Sequence, residues 1–198
     1  MSIREDFAGV FPGSVDFRDH VSNNNPVIVQ IGSFDGILGE EYGLQEFLES
    51  INSFSLILVE PIPKYFSNLI HIYGKYGSRV SYCNHAISDI NGDTNMTDLG
   101  CCSFISPGNG IPVKSKTWDA FISDMGISSI DLLLLDCEGY EFEIMKQIDY
   151  SKNKPKVIRY EYMHIPNKQE CDDFLRSKGY RIEYCRYDHT YNKIAISE

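Results

Sequence analysis

The chain has 198 residues and a mass of 22.6 kDa, enough for one domain whose core buries roughly 70% of the unfolded surface without disulfides or metals. Hydrophobic residues make up 42% and charged residues 23%, which excludes a disordered or fibrous chain. A net charge of −10 and a pI near 4.9 disfavour a general nucleic-acid coat and docking on anionic lipid, both of which need a basic surface.

The predicted elements alternate from Pro26 onward. Val27-Ile-Val-Gln-Ile31 is a short apolar run ending in Gly32-Ser-Phe-Asp-Gly36, a strand entering a tight turn. Leu44, Phe47, Leu48 and Ile51 then fall at helical spacing. Ser55–Glu60 is a second strand, stopped by Pro61 and Pro63, and Pro63 can open a helix because its missing N–H is not needed there. That helix carries Phe66, Leu69, Ile70 and Tyr73 as its stripe and ends near Gly74 or Gly77. Arg79–Ile87 is expected to be a third strand, and residues 90–116, rich in glycine, a loop with one hairpin.

Thr117 is the expected N-cap of a helix with Trp118, Phe121, Ile122 and Met125 inward. Ile130-Asp-Leu-Leu-Leu-Leu-Asp136 is the most apolar strand, a run that implies burial on both faces at the centre of a parallel sheet. A helix with Ile144, Met145 and Ile148 follows, then a strand over Lys156–Glu161 and a helix with Cys171, Phe174 and Leu175 ending at Gly179. Tyr180–Cys185 and Tyr191–Ile196 close the chain as an antiparallel hairpin. The expected fold is therefore α/β: a doubly wound, mostly parallel, seven-stranded Rossmann-like sheet with an antiparallel C-terminal hairpin. Residues 1–25 are read as an N-terminal segment, residues 26–198 as a single domain, and residues 93–116 as a loop insertion.

No apolar stretch is long enough to span a bilayer, and Met1-Ser-Ile-Arg-Glu-Asp-Phe7 does not have the form of a secretory signal. The six cysteines lack CxxC spacing, and Cys101-Cys102 are expected as two free thiols. A reduced, cytoplasmic protein with no membrane partner is the expectation.

In a doubly wound sheet, ligands bind beyond the carboxyl ends of the strands. Gly32-Ser-Phe-Asp-Gly36 lies at one such end but fails the dinucleotide fingerprint, because Phe34 stands where the second glycine belongs. Glu60 ends the second strand 24 residues after Gly36, where an acid can take both hydroxyls of a ribose. A glycine turn without the pyrophosphate fingerprint, joined to a ribose-type acid, suggests an adenosine ligand lacking a second phosphate, which S-adenosylmethionine satisfies.

The chain resembles the FkbM type of class I S-adenosylmethionine-dependent methyltransferase. The likeness is carried by Val29-Gln-Ile-Gly-Ser-Phe-Asp-Gly36, Leu58-Val-Glu-Pro-Ile-Pro-Lys-Tyr-Phe66, Asn84-His-Ala-Ile-Ser-Asp89 with Gly92, and Ile130-Asp-Leu-Leu-Leu-Leu-Asp-Cys-Glu-Gly-Tyr-Glu141. Pro155-Lys-Val-Ile-Arg-Tyr-Glu-Tyr-Met-His164 is a weaker fifth stretch. The resemblance implies that Gly32, Ser33, Asp35 and Gly36 pass the methionine part of the cofactor. It places Glu60 on the ribose with Pro61 beside it, His85, Ala86 and Ile87 at the adenine, and Asp136 facing the sulfonium and the acceptor. It also implies O-methylation of a hydroxyl on a sugar, glycan or small metabolite.

Asp136 and His164 are the candidate catalytic residues, with His164 suited to take the acceptor proton because an imidazole titrates near neutrality. Asp136, Glu138 and Glu161 form an alternative set for Mg²⁺, which would acidify the hydroxyl. Glu138 and Glu141 also suit the bland role of helix-start carboxylates. Acceptor specificity is expected in the glycine-rich loop, where Phe104 is a candidate lid or acceptor contact, and in residues 1–25. Two alternatives compete. Gln30 stands where many class I enzymes have an acid, which fits a non-catalytic or partner-dependent module that binds adenosyl ligands. The last 48 residues carry 10 basic and 7 acidic side chains, which leaves a small opening for a nucleic-acid acceptor against the acidic whole.

Overall fold

The computed structural model describes residues 13–37, 43–106, 108, 110–186 and 190–198. Seven strands form the main sheet: β1 (Val27–Ile31), β2 (Ser55–Val59), β3 (Val80–Cys83), β8 (Leu132–Leu135), β9 (Val157–Glu161), β10 (Tyr180–Tyr184) and β11 (Asn192–Ser197). Their order is β10-β11-β9-β8-β1-β2-β3. The pairs from β9 through β8, β1 and β2 to β3 are parallel, and β11 runs antiparallel to both β9 and β10. The expected hairpin is therefore present, with β11 inserted between its partner and the parallel strands.

The four leucines of β8 show why this sheet forms. Leu133 and Leu135 enter a core with Trp118, Phe121, Ile144 and Met145, while Leu132 and Leu134 enter the opposite core with Leu44, Phe47, Leu69 and Tyr73. The first core is closed by α3 (Trp118–Met125), α4 (Glu141–Gln147) and α5 (Lys168–Ser177), and the second by α1 (Leu44–Ser50) and α2 (Pro63–Tyr73). Each fully buried leucine contributes on the order of 2 kcal/mol relative to exposure, so a strand apolar on both faces is stable only between two helical layers.

The helix signals hold at their ends. Pro63 opens α2, and the Thr117 hydroxyl caps α3 by accepting the Ala120 N–H at 3.4 Å. One apolar position departs from its expected face: Ile70 is exposed, and Leu69 and Tyr73 alone carry the buried face of α2.

Two expectations about residues 79–116 are corrected. The third strand does not run to Ile87. The Asn84 side chain donates to the carbonyls of Glu60 (2.8 Å) and Pro61 (3.0 Å), which turns the chain out of the main sheet after Cys83. Ala86–Ile87 (β4) then joins a second sheet with β5 (Gly92–Thr97), β6 (Phe104–Ile105) and β7 (Ile111–Lys116), in the order β4-β7-β5-β6. The expected hairpin is the β5–β7 antiparallel pair, and strands flank it on both sides. Its own small core joins Met96 and Val113 to Ala86 and Ile62.

Candidate active site

The order of the main sheet reverses between β1 and β8, and the chain turns that leave β1, β2 and β8 meet there. Gly32 has φ +84°, and a Cβ on it would lie 1.7 Å from the Asp136 carbonyl oxygen. Only glycine lets these two turns close on each other. Gly36 is likewise set by packing, since a Cβ there would press on Leu69 and Tyr73 at 3.0 Å. Phe34 adopts φ +47°, the left-handed region that glycine normally supplies, and its ring rests on Tyr65 with centroids 4.1 Å apart.

Glu60 holds this corner together. Its carboxylate accepts the N–H of Phe34 at 2.9 Å and of Ile62 at 2.8 Å, tying the turn after β1 to the start of α2. Burial pushes its carboxyl up to about 7, against the pull of those two amides. Glu141 is a second such clamp, fully buried, at the first position of α4. It accepts the N–H of Cys137 at 2.6 Å and of Gly139 at 3.0 Å, and burial raises its carboxyl to about 8. Glu141 is thus the helix-start carboxylate that the sequence suggests, but it is fully buried and serves the amides of the turn before α4.

Between these clamps lies a cleft enclosing about 570 Å³, its open mouth included. Gly32, Glu60, Pro61, His85, Ala86, Ile87 and Asp136 line it, as do Cys137, Tyr140 and Cys101. Ser33, Asp35 and Gly36 stand outside that lining. The Ser33 hydroxyl donates to the Gln30 carbonyl at 3.2 Å, and Asp35 accepts the Ile37 N–H at 2.9 Å. The small sheet supplies one wall through Met96, Gly100, Ser103 and Ile105. Asp98 fastens that wall to α2 by accepting the Tyr65 hydroxyl at 2.8 Å and pairing with Lys64, bonds that hold its carboxyl near 2.

His164 lies beyond the end of β9, outside the cleft lining and half exposed. Its Nδ1 is 2.8 Å from a Glu138 oxygen and 3.1 Å from a Glu161 oxygen, and the Glu161 bond raises its pKa. Glu138 reaches the ring from a left-handed backbone, φ +52°. Asp136, Glu138 and Glu161 do not converge on one point. Glu138 and Glu161 meet at the imidazole, and Asp136 gathers with Glu161 and Glu141.

Sequence reasoning missed Glu141 as a clamp, Tyr65 against Phe34, and the Tyr140 hydroxyl that donates to Asp89 at 3.2 Å. The signal for Glu141 was present, since an acid in the first helical turn can accept the amides of the turn before it. Of residues 1–25, those numbered 1–12 lie outside the described residues, as do 187–189 of the expected closing turn.

A profile of the Methyltransferase FkbM domain matches residues 27–182. The chain belongs to the FkbM methyltransferase family. Among solved structures it is similar to the FkbM methyltransferase of Methylobacillus flagellatus KT, with 13% identity, TM-score 0.60 and 93% of this chain covered. This chain spans 48% of that protein, about half its length. It is also similar to the precorrin-6y C5,15-methyltransferase of Geobacter metallireducens GS-15, with 14% identity, TM-score 0.52, and 88% of this chain and 81% of that one covered. The Methanococcus jannaschii fibrillarin pre-rRNA processing protein gives 12% identity and TM-score 0.53, with 88% of this chain and 67% of that one covered. No protein of curated function matches the chain in sequence. The fold is thus shared with proteins named for different substrates, and it does not select an acceptor. Among the described residues, no helix is long and apolar enough to cross a membrane.

Proposed function

We propose that the chain binds S-adenosylmethionine in the strand-end cleft and transfers its methyl group to a hydroxyl of a sugar, glycan or small metabolite. The observation that carries this reading is the meeting of Gly32, Glu60 and Asp136, from the ends of β1, β2 and β8, with Ala86 at the start of β4 around one cleft. Its walls are largely apolar with few polar groups, as the walls of small-ligand sites are.

The residues present fit the group. Glu60 accepts ribose hydroxyls with the lone pairs its two amide bonds leave free. Pro61, His85, Ala86 and Ile87 border the purine, and the small sheet excludes water from its edge. Asp136 offers a carboxylate to the cationic end. When bound, the cofactor supplies an electrophilic methyl group on a sulfonium. His164 takes the proton that the acceptor hydroxyl loses: Glu161 holds Nδ1–H, which leaves Nε2 as the basic nitrogen. The family likeness supports the methyl chemistry, and the ring held by two acids supports an oxygen acceptor, whose proton needs a base.

A second reading, an adenosyl-binding module without turnover, rests on Gln30, which is buried in β1 where many class I enzymes have an acid. Incubation with methyl-labelled cofactor and a panel of hydroxylated acceptors separates the two. The proposal expects label in product, and His164→Gln to lower kcat by about 100-fold while cofactor binding holds. Binding without transfer to any acceptor favours the module.

A further inference from the structure

Asp98 stands outside the lining of the cleft, just past β5, yet bonds from both walls end on its carboxylate. One oxygen, Oδ1, accepts the Tyr65 hydroxyl of α2 at 2.8 Å and the Gly100 N–H at 3.2 Å. The other pairs with Lys64, whose Nζ also lies over the Tyr65 ring, 4.5 Å from its centroid. With only 17% of its side chain exposed, Asp98 is a joint between two walls and not a solvated surface acid. A hydroxyl bonded to a carboxylate is roughly twice as strong a contact as one between neutral groups, whereas the exposed Lys64 partner adds little.

Tyr65 carries this anchorage to the corner that Glu60 holds. Its ring rests on Phe34, and the N–H groups of Phe34 and Ile62 both end on the Glu60 carboxylate. Phe34, Glu60, Ile62 and Tyr65 all line the cleft. On the small-sheet wall Gly100 and Ser103 line it too, and Ser103 Oγ donates to the Gly100 carbonyl at 2.6 Å. The Asp98 carboxylate is thus one hydrogen bond from each wall. A shift at Asp98 moves the aromatic face beside Glu60 and the turn at Gly100 together.

We propose that Asp98 is a positioning residue for the adenosyl ligand. Through Tyr65 and Gly100 it fixes the separation of the two walls, and so sets how long the ligand stays bound. This inference rests on the adenosyl reading of the cleft proposed above. The segment between β4 and β5 is tied down at a second point, where the Tyr140 hydroxyl donates to Asp89 at 3.2 Å. Loss of Asp98 therefore loosens the small-sheet wall without releasing it.

Surface plasmon resonance with the full chain immobilised and S-adenosylhomocysteine in solution tests this, because it reads Kd and dissociation rate separately. Asp98→Ala is expected to raise Kd by about tenfold, nearly all of it in faster dissociation. Asp98→Asn keeps an acceptor oxygen for Tyr65 and Gly100, and should restore affinity to within about threefold of the unaltered chain. Tyr65→Phe keeps the ring on Phe34 but loses the bond, so it weakens binding alone and adds nothing to Asp98→Ala. Asp93→Ala breaks another ion pair of the small sheet, with Lys114 at 2.6 Å, and should leave both constants unchanged. That control separates positioning from a general loosening of the sheet. Circular dichroism checks the fold of each variant, and Tyr65→Phe, which removes a single oxygen, carries the test if Asp98→Ala folds poorly. Dissociation unchanged in Asp98→Ala, or independent effects of Asp98→Ala and Tyr65→Phe, would overturn the proposal and leave the adenosyl reading standing. No binding by the unaltered chain would instead overturn that reading, and this inference with it.

Discussion

At the residue scale, the site depends on two buried carboxylates that accept backbone amides. Glu60 and Glu141 each tie one strand-end turn to a helix start, and each has a carboxyl raised by burial, to about 7 and about 8. A raised acid binds its proton more tightly in the folded chain than in the unfolded one, where the carboxyl titrates near 4.5. Stability from these groups is therefore greatest below pH 4.5 and declines as pH rises toward 8. Thermal melts across that range should show this decline, and Glu141→Gln should remove part of the slope. A slope unchanged in the variant contradicts the assignment of Glu141 as a buried, proton-holding clamp.

At the element scale, the turn after β1 is shaped by its neighbours more than by any ligand. The Gly32 Cβ position is filled by the Asp136 carbonyl oxygen, so Gly32→Ala must push β1 and β8 apart at their ends. A φ of +84° adds strain for any residue with a Cβ. The expected cost is about 3 kcal/mol or more in denaturant unfolding, whereas Gly74→Ala, where a Cβ meets open space, should cost nothing measurable.

Much of this was legible in the sequence, because helices and parallel strands announce themselves by periodicity. β1 begins at Val27 and ends at Ile31 as its apolar run does, and Thr117 caps α3. Of the small sheet only the β5–β7 hairpin was legible. Its strands alternate over polar and glycine-rich sequence, and they are held by pairing and by a minor core around Met96 and Val113. The break after Cys83 was hidden for a different reason: the Asn84 side chain makes it, by bonding to carbonyls 23 and 24 residues away. Among the site residues, strand-end acids could be placed from the pattern. Which acids face one another, as Glu138 and Glu161 do at His164, depends on where two loops come to rest.

At the scale of the whole molecule, part of the formal charge of −10 belongs to one sheet edge, where burial holds Glu60 and Glu141 partly protonated near neutral pH. Glu60, Asp136, Glu138, Glu141 and Glu161 gather where β2, β8 and β9 end, and the walls of the cleft come from the main sheet and the small sheet together. A ligand bridging those walls joins parts of the chain that pack in different cores. The central claim is that this edge is an adenosyl site organised by Glu60. Titration calorimetry with S-adenosylhomocysteine measures it directly. The account predicts stoichiometric binding that strengthens as pH rises through about 7, where Glu60 becomes a full acceptor, and that is lost in Glu60→Ala. No heat with the unaltered chain, or equal affinity in Glu60→Ala at every pH, would contradict it.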